Sequence, residues 1–136
     1  ITQITQIDIL EIKMGFLFEE ETYKVIGAAQ KVHQELGTGF LEIVYQDALE
    51  IEFQRRSIPY KRDYLMAIYY IDVKLNRTFN TDFLRLEKII IETKATKSLT
   101  EGFYAQTFNY LKATKLRLAL LINFGEPQLK VKRIIR

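Results

Sequence analysis

Asp82-Phe-Leu-Arg-Leu-Glu-Lys-Ile-Ile-Ile-Glu92-Thr-Lys94 decides how this chain is read, because it sets two carboxylates and an ammonium on what reads as one β-hairpin. The β-branched run makes Ile89 to Ala95 a strand. Glu92 and Lys94, two residues apart, then point to one face about 6–7 Å from each other. If the preceding strand, Thr78 to Arg85, returns through an odd-numbered turn such as Leu86-Glu87-Lys88, Asp82 lies opposite Glu92 on that face. A two-residue turn would instead send the carboxylates to opposite sides. Carboxylates at cross-strand distance repel, and a hard divalent cation with oxygen ligands relieves the repulsion. The bland reading is a solvated hairpin carrying an ion pair worth ~0–1 kcal/mol. Against it, Glu92-Thr-Lys94 is embedded between Ile89-Ile90-Ile91 and Ala95, and Glu and Lys are seldom buried unless paired.

The order Asp82, nine residues, then Glu92-x-Lys94 resembles the PD-(D/E)xK nuclease superfamily, with Thr81 standing where the motif name has Pro. Gln106-Thr-Phe-Asn-Tyr110 is similar to the QxxxY helix motif of its exonuclease branch. Gly39-Phe-Leu-Glu42-Ile-Val-Tyr45 resembles the signature of the bacterial GxxExxY proteins. The resemblance runs from about Tyr23 to the C-terminus. It implies a restriction-endonuclease-like core and a Mg²⁺- or Mn²⁺-dependent nuclease acting on DNA. Asp82 and Glu92 would hold the metal with the backbone carbonyl of Thr93, and Glu42 would add a ligand at the same ion or a second one. Lys94 would position the attacking water and balance transition-state charge, steadied by Gln106 and Tyr110.

Length and composition are consistent with this. At 136 residues the chain is one domain by prior, and 48% hydrophobic residues, with nine Phe and eight Tyr, suffice for a core. The lack of cysteine excludes disulfides, zinc fingers and thiol chemistry, so a metal would fall to carboxylates, carbonyls or His33. His33 itself reads as a structural residue at the edge of an apolar stripe. The longest apolar runs fall far short of the ~20 residues of a membrane span, and a cytoplasmic location is the default expectation. The formal charge of +3 does not by itself announce nucleic-acid binding. Basic residues do concentrate in the last quarter, where Lys112, Lys115 and Arg117 are candidate phosphate contacts and a solvated surface is the rival reading.

The pass along the chain predicts an N-terminal tail over residues 1–18, loosely held or partner-binding, then a domain over 19–136. A first helix from Glu19 carries the stripe Val25, Ala28, Val32, Leu36 and stops at Gly37-Thr-Gly39. A second, Phe40 to Arg56, buries Leu41, Val44, Tyr45, Ala48 and Phe53, with Glu42 at the margin and Asp47 and Glu50 pointing away. Glu52 reads as a structural partner of Arg56. Tyr64 to Ile71 reads as a strand and Asp72-Val-Lys74 as a turn before the Asp82 and Glu92 strands. Thr100 caps a helix from Glu101 to Thr114 that carries Gln106 and Tyr110 on one face. Leu116 to Phe124 reads as a doubly covered strand, and Gln128 to Ile134 as an edge strand. The order ααβββαββ gives an α/β fold with a mixed sheet of five strands flanked by helices, including a β-α-β crossover.

Two functions fit. One is a metal-dependent nuclease; the other is a non-catalytic module that keeps the fold and holds nucleic acid or a protein. The tail and the aromatics also fit a homodimer or a partner protein.

Overall fold

The computed structural model describes residues 17–136 and has the expected order. Helices α1 (Glu19–Leu36) and α2 (Glu42–Arg55) precede strands β1 (Lys61–Tyr70), β2 (Val73–Arg85) and β3 (Ile89–Lys94), then α3 (Glu101–Thr114), β4 (Leu118–Asn123) and β5 (Lys130–Ile135). The strands form one sheet in the order β1-β2-β3-β4-β5. Only β3 and β4 run parallel, joined by α3, and the other neighbours are antiparallel. The expected tail falls outside the described residues except for its end, Leu17 and Phe18, which pack against the core.

Two apolar layers sandwich the sheet. Val25, Ala28, Ala29 and Val32 of α1 and Tyr45, Leu49 and Phe53 of α2 meet Phe83, Ile89, Ile91, Leu118, Leu120 and Ile122. On the opposite face Leu111, Phe103 and Tyr110 of α3 cover Leu84, Ile90, Ala119 and Leu121. Every residue of β4 is buried, which is why its sequence is apolar on both alternations. Leu41 is a correction: it precedes α2 and is exposed, while Gln46 takes a buried place in the helix. Asp47 and Glu50 do turn from the core, and both grip Arg62 at 2.8 and 2.9 Å. Glu52 pairs with Arg56 at 3.4 Å.

The hairpins depart from expectation in their bounds. β1 starts at Lys61, and β2 starts at Val73, so the first turn is Ile71-Asp72 rather than Asp72-Val-Lys74. The second turn is the odd-numbered Leu86-Glu87-Lys88, with Arg85 paired to Ile89. Leu86 and Glu87 have φ of 54° and 58°, in the left-handed region that costs a non-glycine residue about 1–2 kcal/mol. Leu86→Asn combined with Glu87→Gly should therefore raise stability by about 1 kcal/mol, despite loss of the surface Lys61–Glu87 pair. An unchanged urea midpoint would show that the turn carries no such strain.

A latch ties the ends of β3 and β4. Buried Asn123 accepts from Thr96 N–H and Gly125 N–H through Oδ1, and donates through Nδ2 to Thr96 O and Glu126 Oε2. Phe124 N–H donates to Lys94 O at 2.8 Å. Gly125 lies so close that a Cβ there would stand 2.1 Å from Thr96 O, so no side chain fits.

Candidate active site

The β2–β3 ladder stops at Phe83↔Ile91, and the next pair would be Asp82 and Glu92. There the strands part, and each carboxylate replaces a ladder bond by reaching the other strand's backbone. Asp82 N–H donates to Glu92 Oε1 at 3.2 Å, and Thr93 N–H donates to Asp82 Oδ2 at 2.8 Å. The side chains of β2 also switch faces of the sheet just before this point. Phe83 packs on the α1–α2 side and Phe79 on the α3 side, although four residues along an unbroken strand share a face. Between them, opposite Asp82, lies Asp63 with φ 49°.

Hydroxyls and an amide hold the pair. Thr81 Oγ1 donates to Glu92 Oε1 at 2.9 Å, a bond that proline at this position could not make. Thr93 Oγ1 donates to Asp82 Oδ2 at 2.9 Å, with Glu42 Oε1 at 3.5 Å, and accepts from Gln46 Nε2 at 2.9 Å. Gln46 was not foreseen. The signal for it was its position four residues after Glu42, on the same flank of α2.

The bonds received by the two carboxylates all go to one oxygen of each, Asp82 Oδ2 and Glu92 Oε1, leaving the second oxygen of each for another partner among the described residues. The electrostatics show strain on the negative charge. Burial first, and the Asp82 charge second, push Glu92 up to about 8. Burial and Asp82 likewise raise Glu42. Lys94 opposes both shifts, which places its ammonium within electrostatic reach of each acid. Its Nζ lies 4.7 Å from the Phe103 ring centroid on α3.

The other expected residues divide. Tyr110 stacks on Phe79 with ring centroids 3.7 Å apart, and burial together with the Glu92 charge raises its hydroxyl. Gln106 is exposed on α3, with no hydrogen bond to Lys94 or the carboxylates among the described residues. Lys112, Lys115 and Arg117 are exposed at the other end of the sheet. Leu118, next to Arg117, pairs with Ile89, five residues before Lys94, so roughly 16 Å separates the two levels. Lys115 sits over Tyr69. His33 is structural, its Nε2 2.8 Å from the Glu126 carbonyl oxygen.

No group of three or more His, Asp or Glu side chains among the described residues forms a ready cage for a metal. The donors present are nonetheless all hard oxygens, and Mg²⁺ commonly takes only one or two carboxylates and keeps several waters.

A sequence model described as the PD-(D/E)XK nuclease superfamily matches residues 19–134. The chain belongs to the PD-(D/E)XK nuclease superfamily. No curated protein and no solved structure matches it. The match to the PD-(D/E)XK superfamily spans every described helix and all but the last residue of the last strand. Its nuclease-like fold, a mixed sheet between helices, is the one described above. No described helix is long and apolar enough to cross a membrane.

Proposed function

We propose that this chain is a Mg²⁺- or Mn²⁺-dependent nuclease that hydrolyses phosphodiester bonds in DNA. The observation that carries the reading is the parting of β2 and β3 at Asp82 and Glu92, where a buried and a half-buried carboxylate lie beside each other with Lys94 in electrostatic reach. A structural ion pair would not call for a second acid beside the buried one, and the raised Glu92 marks negative charge that the protein alone leaves poorly compensated.

Asp82, Glu92 and the Thr93 carbonyl would hold the ion, with Glu42 adding a ligand from α2. When bound, a divalent ion supplies Lewis acidity that lowers the pKa of a water and offsets charge on the phosphoryl oxygens. The chain's own residues do the rest. Thr81, Thr93 and Gln46 fix the carboxylates before substrate arrives, the preorganisation that catalysis by electrostatics requires. Lys94 orients the nucleophilic water and balances charge on the transferring phosphoryl group. Tyr110 and Gln106, on α3, would contact the phosphate.

Assignment to the GxxExxY branch rests on Gly39, Glu42 and Tyr45. Gly39 has φ +105°, open to glycine at no steric cost. The Tyr45 hydroxyl donates to Gly37 O at 2.6 Å and its ring stacks on Phe124, which anchors the start of α2 and with it Glu42.

The test is degradation of labelled single- and double-stranded DNA, with RNA beside them, in Mg²⁺ and in Mn²⁺. Cleavage of DNA in metal and none in EDTA is expected. Mn²⁺ should also raise Tm by binding the folded state only, by RT ln(1 + [L]/Kd) in free-energy terms. If neither cleavage nor a Tm shift occurs, the chain is the non-catalytic module.

Lys112, Lys115 and Arg117 are proposed to contact phosphates away from the chemistry. Neutralising all three should weaken DNA binding and flatten its salt slope by up to about 0.9 per lost phosphate contact. The rate at saturating DNA should hold. Unchanged binding would remove these residues from the interface.

A further inference from the structure

The two edges of the sheet differ. Edge strands usually carry charge, proline or irregularity that discourages pairing with another chain. β5 is guarded in this way by Lys130 and Lys132. On β1, charge is confined to Lys61, Arg62 and Asp63, and the eight residues from Tyr64 to Ile71 carry none. Its pairing with β2 shifts register between Ala67 and Tyr69 and is interrupted at Asp63, outside the uncharged run.

That uncharged edge is also apolar and open. Leu65 is 62% exposed, Tyr70 67%, Ile71 71% and Val73 59%, and Tyr64, Tyr69 and Leu75 add to the patch. Meanwhile Met66, Ile68 and Phe79 pack with the α3 layer, so the hairpin is anchored to the domain rather than free. At ~150–250 Å² for a whole large side chain, the exposed fractions amount to roughly 600–700 Å². Successive residues of the hairpin face opposite ways, so this area wraps both sides of the edge, and in all it exceeds the few hundred Å² usual for an apolar patch on a monomer. It approaches the ~800 Å² that each partner of a stable interface contributes.

We infer that β1 pairs antiparallel with β1 of a second copy of this chain across a two-fold axis, joining the two sheets into one. A two-fold contact places like residues near each other, so charges in the run would repel; a run without charge suits it. Lys61 lies over Tyr64 and Lys115 over Tyr69 at the margins of the patch, while its centre, Leu65 to Ile68, carries no charge. This association is independent of whether the domain cleaves DNA.

Sedimentation equilibrium of the full chain tests it, at about 50 μM, above the micromolar Kd that standard-size interfaces reach or better. The expected species has twice the 16.1 kDa mass of one chain. Leu65→Lys combined with Tyr70→Lys should yield monomer with an unchanged circular dichroism spectrum. Because the chain lacks cysteine, single cysteines give a second reading that does not depend on the charged variant folding. Ala67→Cys, which the two-fold axis sets beside its own copy, should form disulfide-linked dimer on mild oxidation, and Gln34→Cys, exposed on α1, should not. The inference is overturned by a wild-type monomer, by a dimer that survives both lysines, or by equal cross-linking at position 34. It is equally overturned by a monomer whose hairpin tyrosines are quenched by added single-stranded DNA, which would give the patch to nucleic acid.

Discussion

Asp82→Asn and Lys94→Ala should each lower DNA cleavage by on the order of 10²- to 10³-fold or more, as the loss of a group acting on transition-state charge does. They should differ in cause. Asn at position 82 can still accept from Thr93 through its carbonyl oxygen, so the parted strands keep their shape while the ion loses a charged ligand. The Mn²⁺-induced rise in Tm should shrink with Asp82→Asn and persist with Lys94→Ala, which removes a cation and no ligand. Measuring cleavage and Tm on the same three proteins separates the roles. Should both variants cleave like wild type, the site lies elsewhere and the proposed chemistry fails; should Lys94→Ala alone abolish the metal response, Lys94 is holding the carboxylates rather than serving the reaction.

The second large effect concerns stability. Glu92 is held up to about 8 from an ordinary 4.5, chiefly by burial and then by Asp82. Between those values the folded protein keeps a proton that the unfolded chain has released, so the metal-free fold loses stability as pH rises through that window. Its advantage is full below about pH 4.5 and gone above about pH 8. Glu92→Gln removes the titration while its carbonyl oxygen still accepts from Thr81 and Asp82. In EDTA the variant should be more stable than wild type by about 1–2 kcal/mol at neutral pH and above, with the gap narrowing as pH falls. In Mn²⁺ the order should reverse, because the ion binds the ionised side chain. Urea midpoints at several pH values in EDTA and in Mn²⁺ decide it. Parallel curves for the two proteins would mean that Glu92 titrates normally.

Much of the architecture was legible in the chain. The stripe Val25, Ala28, Val32, the β-branched run Ile89–Ile91, the apolar stretch of β4 and the Thr100 cap each follow a local rule, and tertiary packing agreed with it. The failures have physical causes. Ile71 takes φ 58° in the first hairpin turn, a conformation that β-branched residues rarely adopt, so no turn residue marked the place. The change of face along β2 was hidden because Phe79, Thr81 and Phe83 alternate as in a regular strand, while the left-handed residue opposite it, Asp63, lies on the neighbouring strand. For the site, the register of the second hairpin followed from the three-residue turn, so Asp82 and Glu92 came together as expected. The crossed bonds to backbone amides were not readable, because they exist only where the ladder fails. Gln46 was overlooked as one polar residue in a helix, and the distance of Lys112, Lys115 and Arg117 from the carboxylates was not readable before the parallel register of β3 and β4 was known.

The seat of Gly125 against Thr96 bears on how a domain of this kind can diverge. Neither residue is proposed to meet DNA, yet β3 ends on one side of their contact and β4 on the other, and Lys94 is the last residue of β3. Drift at position 125 would pry those termini apart and carry the ammonium with them. Descendants of this chain are thus freer to rewrite the outer surface of α3 than this one glycine, whose retention would look like selection for chemistry while reflecting only a lack of room.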